Sequence, residues 1–290
     1  MRLLVIHNPA AGRPADRFLD RVLARVRDSS HAVEVAVTDG PGHARRLAED
    51  AVSRAERLVI AGGDGTIAEA ADGLVRSGAR IPVAIVPLGT ANVLACEIGL
   101  GRAPDAIART ITGGQVRDVS VGMINGRCFL LMAGAGFDAH VVGAVKPALK
   151  RRLGRMAYLW TSARMLHGFP YPDYAVAVDG REMRAASVVV TNARNYAGPY
   201  LIAPRADLAS PTLEVCLFER KGAISVVRYG AALITGCLPR VAGFRVVSGR
   251  HVTISGPPGE PLQADGDAIG VMPADISVRP GALALVMPAA

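Results

Sequence analysis

No stretch of the chain approaches the ~18 to 20 uninterrupted apolar residues that a membrane-spanning helix requires, although half of its 290 residues are hydrophobic. The apolar run near the start, Leu3 to Ile6, is too short for a signal peptide and leads at once into Asn8-Pro9. A cytoplasmic protein is expected. Cys96, Cys128, Cys216 and Cys237 have no CxxC spacing, which excludes the usual zinc and dithiol motifs and predicts reduced, buried thiols. Aromatic residues make up only 4% of the chain and are not interleaved with basic groups over successive strands, so a single-strand stacking platform is excluded and no nucleic-acid partner is expected. Internal repeats and low-complexity tracts are also missing.

Acidic residues are absent between Asp138 and Asp173, in a chain of net charge +8. That interval holds Lys146, Lys150, Arg151, Arg152, Arg155 and Arg164, with Leu149, Leu153, Met156, Leu159, Trp160 and Leu166 among them. A basic block with an apolar side and the only tryptophan fits a helix, or helix pair, resting on an anionic membrane surface at the inner face. A helix packed on its own domain with a solvated basic face would give the same pattern.

What is present is concentrated in two short segments. Gly62-Gly63-Asp64-Gly65-Thr66 follows the apolar run Leu58 to Ala61, and Pro87-Leu88-Gly89-Thr90-Ala91-Asn92 follows Ile81 to Val86. Each lies between a buried-strand pattern and a helical one, so both loops belong at the carboxyl ends of parallel strands, where open α/β sheets bind ligands. The glycines admit a polyphosphate close to the backbone, and a helix beginning near Thr66 would turn its first amides and its dipole toward the anion. The carboxylate of Asp64 suits such a site if Mg²⁺ stands between it and the phosphates, directly or through water. Leu3 to Ile6, then Asn8-Pro9-Ala10-Ala11-Gly12, adds a third strand end to the same place.

The first ~120 residues read as alternating strands and helices, a doubly wound parallel sheet. Beyond Asp118 the pattern changes to strand pairs and turns. The expected fold is therefore α/β, with a nucleotide-binding domain over 1–118, joined by 282–290 at most, and a β-rich, mostly antiparallel domain over 119–281 carrying a basic helical insertion near 139–167. Gly134-Ala135-Gly136-Phe137-Asp138 reads as a tight strand-to-helix turn, with Asp138 as a helix cap or cleft residue.

These motifs resemble the diacylglycerol kinase catalytic-domain family of lipid kinases, which includes the sphingosine and ceramide kinases. The matching pieces run in family order: Asn8 to Gly12, Thr38 with Asp39-Gly40-Pro41-Gly42-His43, Gly62 to Thr66, Pro87 to Ala95, Gly134 to Asp138, and Asp265-Gly266-Asp267. NAD kinases share the GGDGT-type loop; the Pro-Leu-Gly-Thr-Ala-Asn segment distinguishes the lipid kinases. The resemblance implies an NAD kinase/diacylglycerol kinase-like fold and transfer of the γ-phosphate of ATP, with Mg²⁺, to a lipid hydroxyl. Diacylglycerol is the default acceptor, and ceramide or a sphingoid base is the nearest variant. By the same resemblance the phosphates meet Asn8, Pro9, Ala10, Ala11, Gly12 and the Gly62 to Thr66 amides, Thr38 and Thr90 bond the nucleotide, and Asn92 lines the site. The proton acceptor comes from Asp265-Gly266-Asp267, a segment that is also an ordinary hairpin turn. Asp267 stands where the family has Glu, which leaves open whether it or Asp265 is the base. Ser210-Pro211 replaces a family Asp-Gly pair, so no structural cation is assigned. An NAD kinase and a lipid or nucleotide sensor without turnover are the competing readings.

Overall fold

The computed structural model describes residues 1–11, 15–29, 31–145 and 154–289. The chain forms two compact units, Met1–Ser120 with Gly281–Ala290, and Val121–Pro280.

In the first unit, β1 (Arg2–His7), β2 (Ala32–Val37), β3 (Arg57–Gly62) and β4 (Val83–Pro87) form a parallel sheet in the order β2-β1-β3-β4. All of β3 and nearly all of β1 and β4 are buried, as unbroken Leu-Val-Ile runs require when both faces are covered. Edge strand β2 is largely exposed. Covering helices follow the strands: α1 (Ala15–Asp28) buries Leu19, Val22, Leu23 and Val26, α2 (His43–Asp50) buries Ala44 and Ala48, and α3 (Asp64–Ser77) buries Ile67, Ala70, Ala71 and Leu74. The three- and four-residue spacing of these positions gives each helix its single apolar side. Left-handed Gly78 ends α3, with its amide on the Leu74 carbonyl. Two further helices, α4 (Val93–Glu97) and α5 (Pro104–Gly113), precede β5 (Gln115–Ile124).

The second unit is a two-sheet β structure. The hairpin of β5 with β6 (Arg127–Phe129) turns on Asn125-Gly126, both at positive φ, as a two-residue primed turn requires. Next come β7 (Met132–Ala135), α6 (Phe137–Ala144) and the helix Arg155–Met165. The strands that follow are β8 (Tyr174–Val178), β9 (Arg181–Ala185), β10 (Ser187–Thr191), β11 (Asn195–Tyr196), β12 (Tyr200–Leu201) and β13 (Leu213–Phe218). The helix Ala223–Ile234 leads to β14 (Phe244–Gly249), β15 (His251–Ser255), β16 (Pro261–Ala264), β17 (Asp267–Val271) and β18 (Ala274–Met287). One sheet runs β14-β13-β10-β7-β16-β17, and the other carries β18, β15, β8 and β9, with antiparallel pairing throughout. Phe129, Tyr174, Val176, Val190, Val215, Val252 and Leu262 fill the space between the sheets. Within the first unit, the carboxyl end of β18 lies parallel to β4, with Leu285 opposite Val83. The architecture is thus α/β, a parallel sheet followed by an antiparallel β-rich region. Cys128 and Cys216 are buried, and burial pushes the Cys216 thiol well up. Cys237, expected to be buried, is exposed because it follows the helix 223–234 at a surface turn.

A close contact between α2 and α3 depends on Gly73, where a Cβ would run into the Arg45 backbone of α2. Gly73→Ala is expected to cost about 1–3 kcal/mol through overpacking, despite the better helix propensity of alanine. Urea unfolding should show a lower midpoint, and an unchanged or raised midpoint would contradict this packing.

Candidate active site

In the first unit the ends of β1, β3 and β4 converge. The Asn8 amide donates to the Ala61 carbonyl at 2.9 Å, and the Leu88 amide to that of Gly62 at 2.9 Å, so the three loops leave the sheet in fixed register. Asn8 then reaches sideways: its Nδ2 donates to Thr66 Oγ1 at 2.8 Å, while its Oδ1 accepts from the Ala10 amide at 2.9 Å.

Each glycine that bears on this packing has a definite neighbour. A Cβ on Gly62 would lie 2.7 Å from Thr66 Cβ. One on Gly89 would lie 2.6 Å from Gly63 Cα and 2.9 Å from Asn92 Oδ1. The two glycine loops therefore touch backbone to backbone. Asn92 closes the second loop on itself, with its Oδ1 accepting from the Gly89 amide at 2.9 Å and its Nδ2 donating to the Gly89 carbonyl at 2.8 Å. Its left-handed backbone, φ +48°, suits asparagine better than most side-chain types.

Asp64 links the loops directly. Its Oδ2 accepts from the Val93 amide at 3.0 Å and its Oδ1 from the Leu94 amide at 3.2 Å, so it caps α4 from the neighbouring loop. Burial raises the carboxyl above its ordinary value, and the amide bonds oppose that rise. Asp64 is thus a loop staple, and with both oxygens on amides only its remaining lone pairs could meet a cation. Among the described residues, no group of three His, Cys, Asp or Glu side chains forms a metal cluster. A polyphosphate fits better: Gly63 caps α3 without a side chain, and no side-chain bond occupies that cap. Gly65 lies in the first turn of the same helix.

Thr38 is buried, its amide donating to the His7 carbonyl at 2.8 Å, and Thr90 is exposed in the second loop. His43 Nδ1 lies 2.6 Å from Asp39 Oδ1 at the start of α2, a structural histidine. Gly12, and with it Lys146, Lys150, Arg151 and Arg152, lie outside the described residues; Arg155 begins the helix 155–165.

The second unit contains the Asp265-Gly266-Asp267 turn between β16 and β17. Asp265 and Gly266 have φ of +48° and +82°, again a primed turn. Asp265 is anchored: its Oδ2 accepts from the Leu130 amide at 2.8 Å, its Oδ1 from the Leu131 and Met132 amides at 2.9 Å each, and its own amide donates to the Met132 carbonyl at 2.8 Å. Asp267 is exposed. Beneath the turn, Gln263 accepts the Gly266 amide at 3.1 Å on Oε1 and donates from Nε2 to Asp138 Oδ2 at 2.9 Å, while the Tyr196 hydroxyl donates to Asp138 Oδ1. For Asp138 the sequence offers a helix cap or a cleft residue, and the cap is not what forms. Instead, Gly136 caps α6, and Asp138, one residue inside the helix, turns its carboxylate inward to Tyr196 and Gln263. Burial raises its carboxyl above the ordinary value, against the pull of those two donors. Gln263 and Tyr196 were not anticipated. The available signal was a glutamine in the short strand before the turn, between Leu262 and Ala264.

The matches to known proteins agree with this geometry. Residues 2–124 match the diacylglycerol kinase catalytic domain, and residues 132–287 the YegS C-terminal NAD kinase beta sandwich-like domain. A protein of Pseudomonas aeruginosa (strain UCBPP-PA14) named "Probable lipid kinase YegS-like" is 30% identical, the match covering 99% of this chain and 94% of that one. A Bacillus subtilis (strain 168) diacylglycerol kinase is 27% identical over 81% of this chain and 79% of its own. The crystal structure of a diacylglycerol kinase from Bacillus anthracis has the same fold, with a TM-score of 0.82 at 22% identity, covering 99% and 96% of the two chains. Fold and glycine loops together define a kinase. The chain belongs to the diacylglycerol kinase-like family of lipid kinases.

Two outcomes test these contacts. Gly89→Ala, which drives a methyl group into Gly63, should lower the unfolding midpoint by the equivalent of about 1–3 kcal/mol; a wild-type midpoint would mean that the loops do not touch. Asp138, with a folded pKa above 3.8, keeps its proton where the unfolded chain has lost it. Its contribution to stability should therefore fall as pH rises from 3.8 through the raised value, then stay level. Urea midpoints of wild type and Asp138→Asn, compared between pH 4 and 7, should diverge in that direction, whereas a pH-independent difference would contradict it.

Proposed function

We propose that the protein transfers the γ-phosphate of ATP to the hydroxyl of a membrane-borne lipid, diacylglycerol in the first instance, giving phosphatidic acid. The observation that carries this reading is the backbone contact of Gly63 with Gly89, stapled by Asp64, which makes a side-chain-free floor at three converging strand ends. The acceptor follows the names of relatives such as the Bacillus subtilis diacylglycerol kinase; a ceramide or sphingoid base is the variant acceptor.

In this reading Asn8 to Ala11 and the first amides of α3 receive the ATP phosphates. Thr38 and Thr90 bond the nucleotide, and Asn92 holds the second loop. Mg²⁺ brought with the nucleotide would neutralise phosphate charge, held mainly by the phosphates and, on its remaining lone pairs or through water, by Asp64. The lipid oxygen forms a bond to the γ-phosphorus as the bond to the bridging oxygen of ADP breaks, and the hydroxyl proton leaves to a carboxylate.

Asp267 is the better proton acceptor of the two turn carboxylates. Asp265 already receives three amides across both oxygens, whereas Asp267 is exposed at the end of the turn that Asp265 and Gln263 hold. Asp265 is then a positioning residue. The helix Arg155–Met165 presents Met156, Leu159 and Trp160 to solvent, with Arg164 over the Trp160 ring, a combination suited to the headgroup zone of an anionic membrane.

The test is transfer of radiolabelled γ-phosphate into mixed micelles of diacylglycerol, ceramide or sphingosine, with NAD in parallel. Label should enter a lipid. Asp267→Asn should lower kcat by about 10²- to 10⁴-fold while ATP binding is retained, and Asp267→Glu should keep turnover. Label in NAD alone would overturn the acceptor, an undiminished Asp267→Asn would overturn the base, and bound ATP with no label anywhere would favour a sensor.

A further inference from the structure

The helix Ala223–Ile234 carries one charged residue, Arg228, and is apolar on nearly all sides. Its inward side is accounted for. Tyr229 and Ala232 are buried, Tyr229 stacks edge-on against Phe218, and its hydroxyl donates to the Gly243 carbonyl at 2.7 Å. The opposite side is not. Ile224 is 86% exposed, Val227 55% and Ile234 62%, and Ala231 between them is also exposed. Spacings of three, four and three place these residues within one stripe. A helix that is apolar all round is ordinarily buried, so this stripe calls for a covering partner.

Charge identifies the partner. From Arg220 to Gly259 the sequence has no acidic residue, the second such interval in the chain. Lys221 and Arg245 are paired with Asp173 and Glu219. Of the remaining arginines, Arg250 lies in the turn between β14 and β15, while Arg228 stands beside the stripe and Arg220 and Arg240 beyond its two ends, all exposed. Strand β12 lies next to this helix and adds the exposed Leu201. A second copy of the chain would bring Arg228 against like charge across a symmetric contact. An anionic bilayer surface accepts both components, taking the aliphatic groups below the headgroups and the guanidinium groups among the phosphates.

We propose that the helix Ala223–Ile234 is a membrane-docking element, with Ile224, Val227 and Ile234 entering the headgroup boundary of an anionic bilayer and Arg228 binding lipid phosphate. This deepens the lipid-kinase reading and rests on its membrane-borne acceptor. It adds a contact separate in sequence from the helix 155–165.

Sedimentation with vesicles of phosphatidylcholine, with and without phosphatidylglycerol, tests the assignment on the full chain. Wild type should bind the anionic vesicles. Ile224→Asp with Val227→Asp should weaken that binding by about tenfold or more, and Arg228→Glu should reduce it most at low salt. Thermal midpoints should not move, because these side chains are outside the core. The rate on a short-chain diacylglycerol dissolved below its aggregation concentration should likewise stay at the wild-type value. Unchanged vesicle binding in the double variant overturns the proposal. So does a wild-type dimer that the double variant separates while vesicle binding persists, since the occupant is then a second copy. Vesicle binding lost in the double variant, with no phosphate entering any lipid, supports the docking helix and fails the acceptor reading instead.

Discussion

The first unit depends on how two glycine loops can touch. Parallel strands stand about 4.8 Å apart, and the loops that leave β3 and β4 would ordinarily be kept farther apart by side chains. Gly63 and Gly89 remove that spacing, and the Asp64 carboxylate, set on the Val93 and Leu94 amides, closes it. A buried carboxylate is costly unless donors replace the lost water, and here the donors are amides that α4 could not otherwise satisfy at its first turn. One side chain therefore offsets two costs. The result is a floor where Gly63 and Gly89 present no Cβ beside the start of α3, which under the proposed function would be preorganised for an anion.

The second unit uses the same device for another purpose. Asp265 lies in a primed turn and accepts the amides of residues 130 to 132, fixing the turn as Asp64 fixes α4. What differs is the layer beneath. Burial shifts the Asp138 carboxyl upward, and its donors among the described residues, the Tyr196 hydroxyl and the Gln263 amide, are neutral and oppose that shift without cancelling it. Gln263 has one orientation that satisfies both Asp138 and Gly266, because its two ends are not interchangeable. The direction of the turn thus depends on a carboxylate in α6, more than a hundred residues earlier in the chain.

This division explains what could be read from the chain alone. Buried strands such as Leu58 to Ala61, the one-sided helices and the Asn125-Gly126 turn are local patterns, and the α/β class follows from their order. The glycine loops suggest a phosphate site from sequence because glycine has few other reasons to cluster at a strand end. The role of Asp64 toward α4, the self-closure of Asn92, and the Tyr196-Asp138-Gln263 relay were not. Each joins a side chain to a partner chosen by the fold, and no periodicity records such a choice. Of the two readings of Asp138, helix cap or cleft residue, the cap fails for this reason: an acidic residue near a helix start suggests a cap by local rule, but Gly136 already holds that position.

Surface chemistry completes the contrast. The core places apolar residues by period, and the two acid-free intervals, Asp138 to Asp173 and Glu219 to Glu260, are instead defined by what has been left out. Each contains a helix with exposed aliphatic or aromatic side chains next to arginine, Trp160 with Arg164 in one and Ile224 with Arg228 in the other. Exposed apolar side chains weigh against a folded chain in water, and single ones are common. Repeated stripes flanked by one sign of charge are poorly explained by folding, since much of their apolar surface is left outside the chain's own core. Under the proposed docking they would gain from an interface that is apolar within and anionic at its edge. Under the proposed function that interface would also hold the lipid acceptor, so surface composition and the proposed chemistry of the turn carboxylates would answer to the same physical constraint.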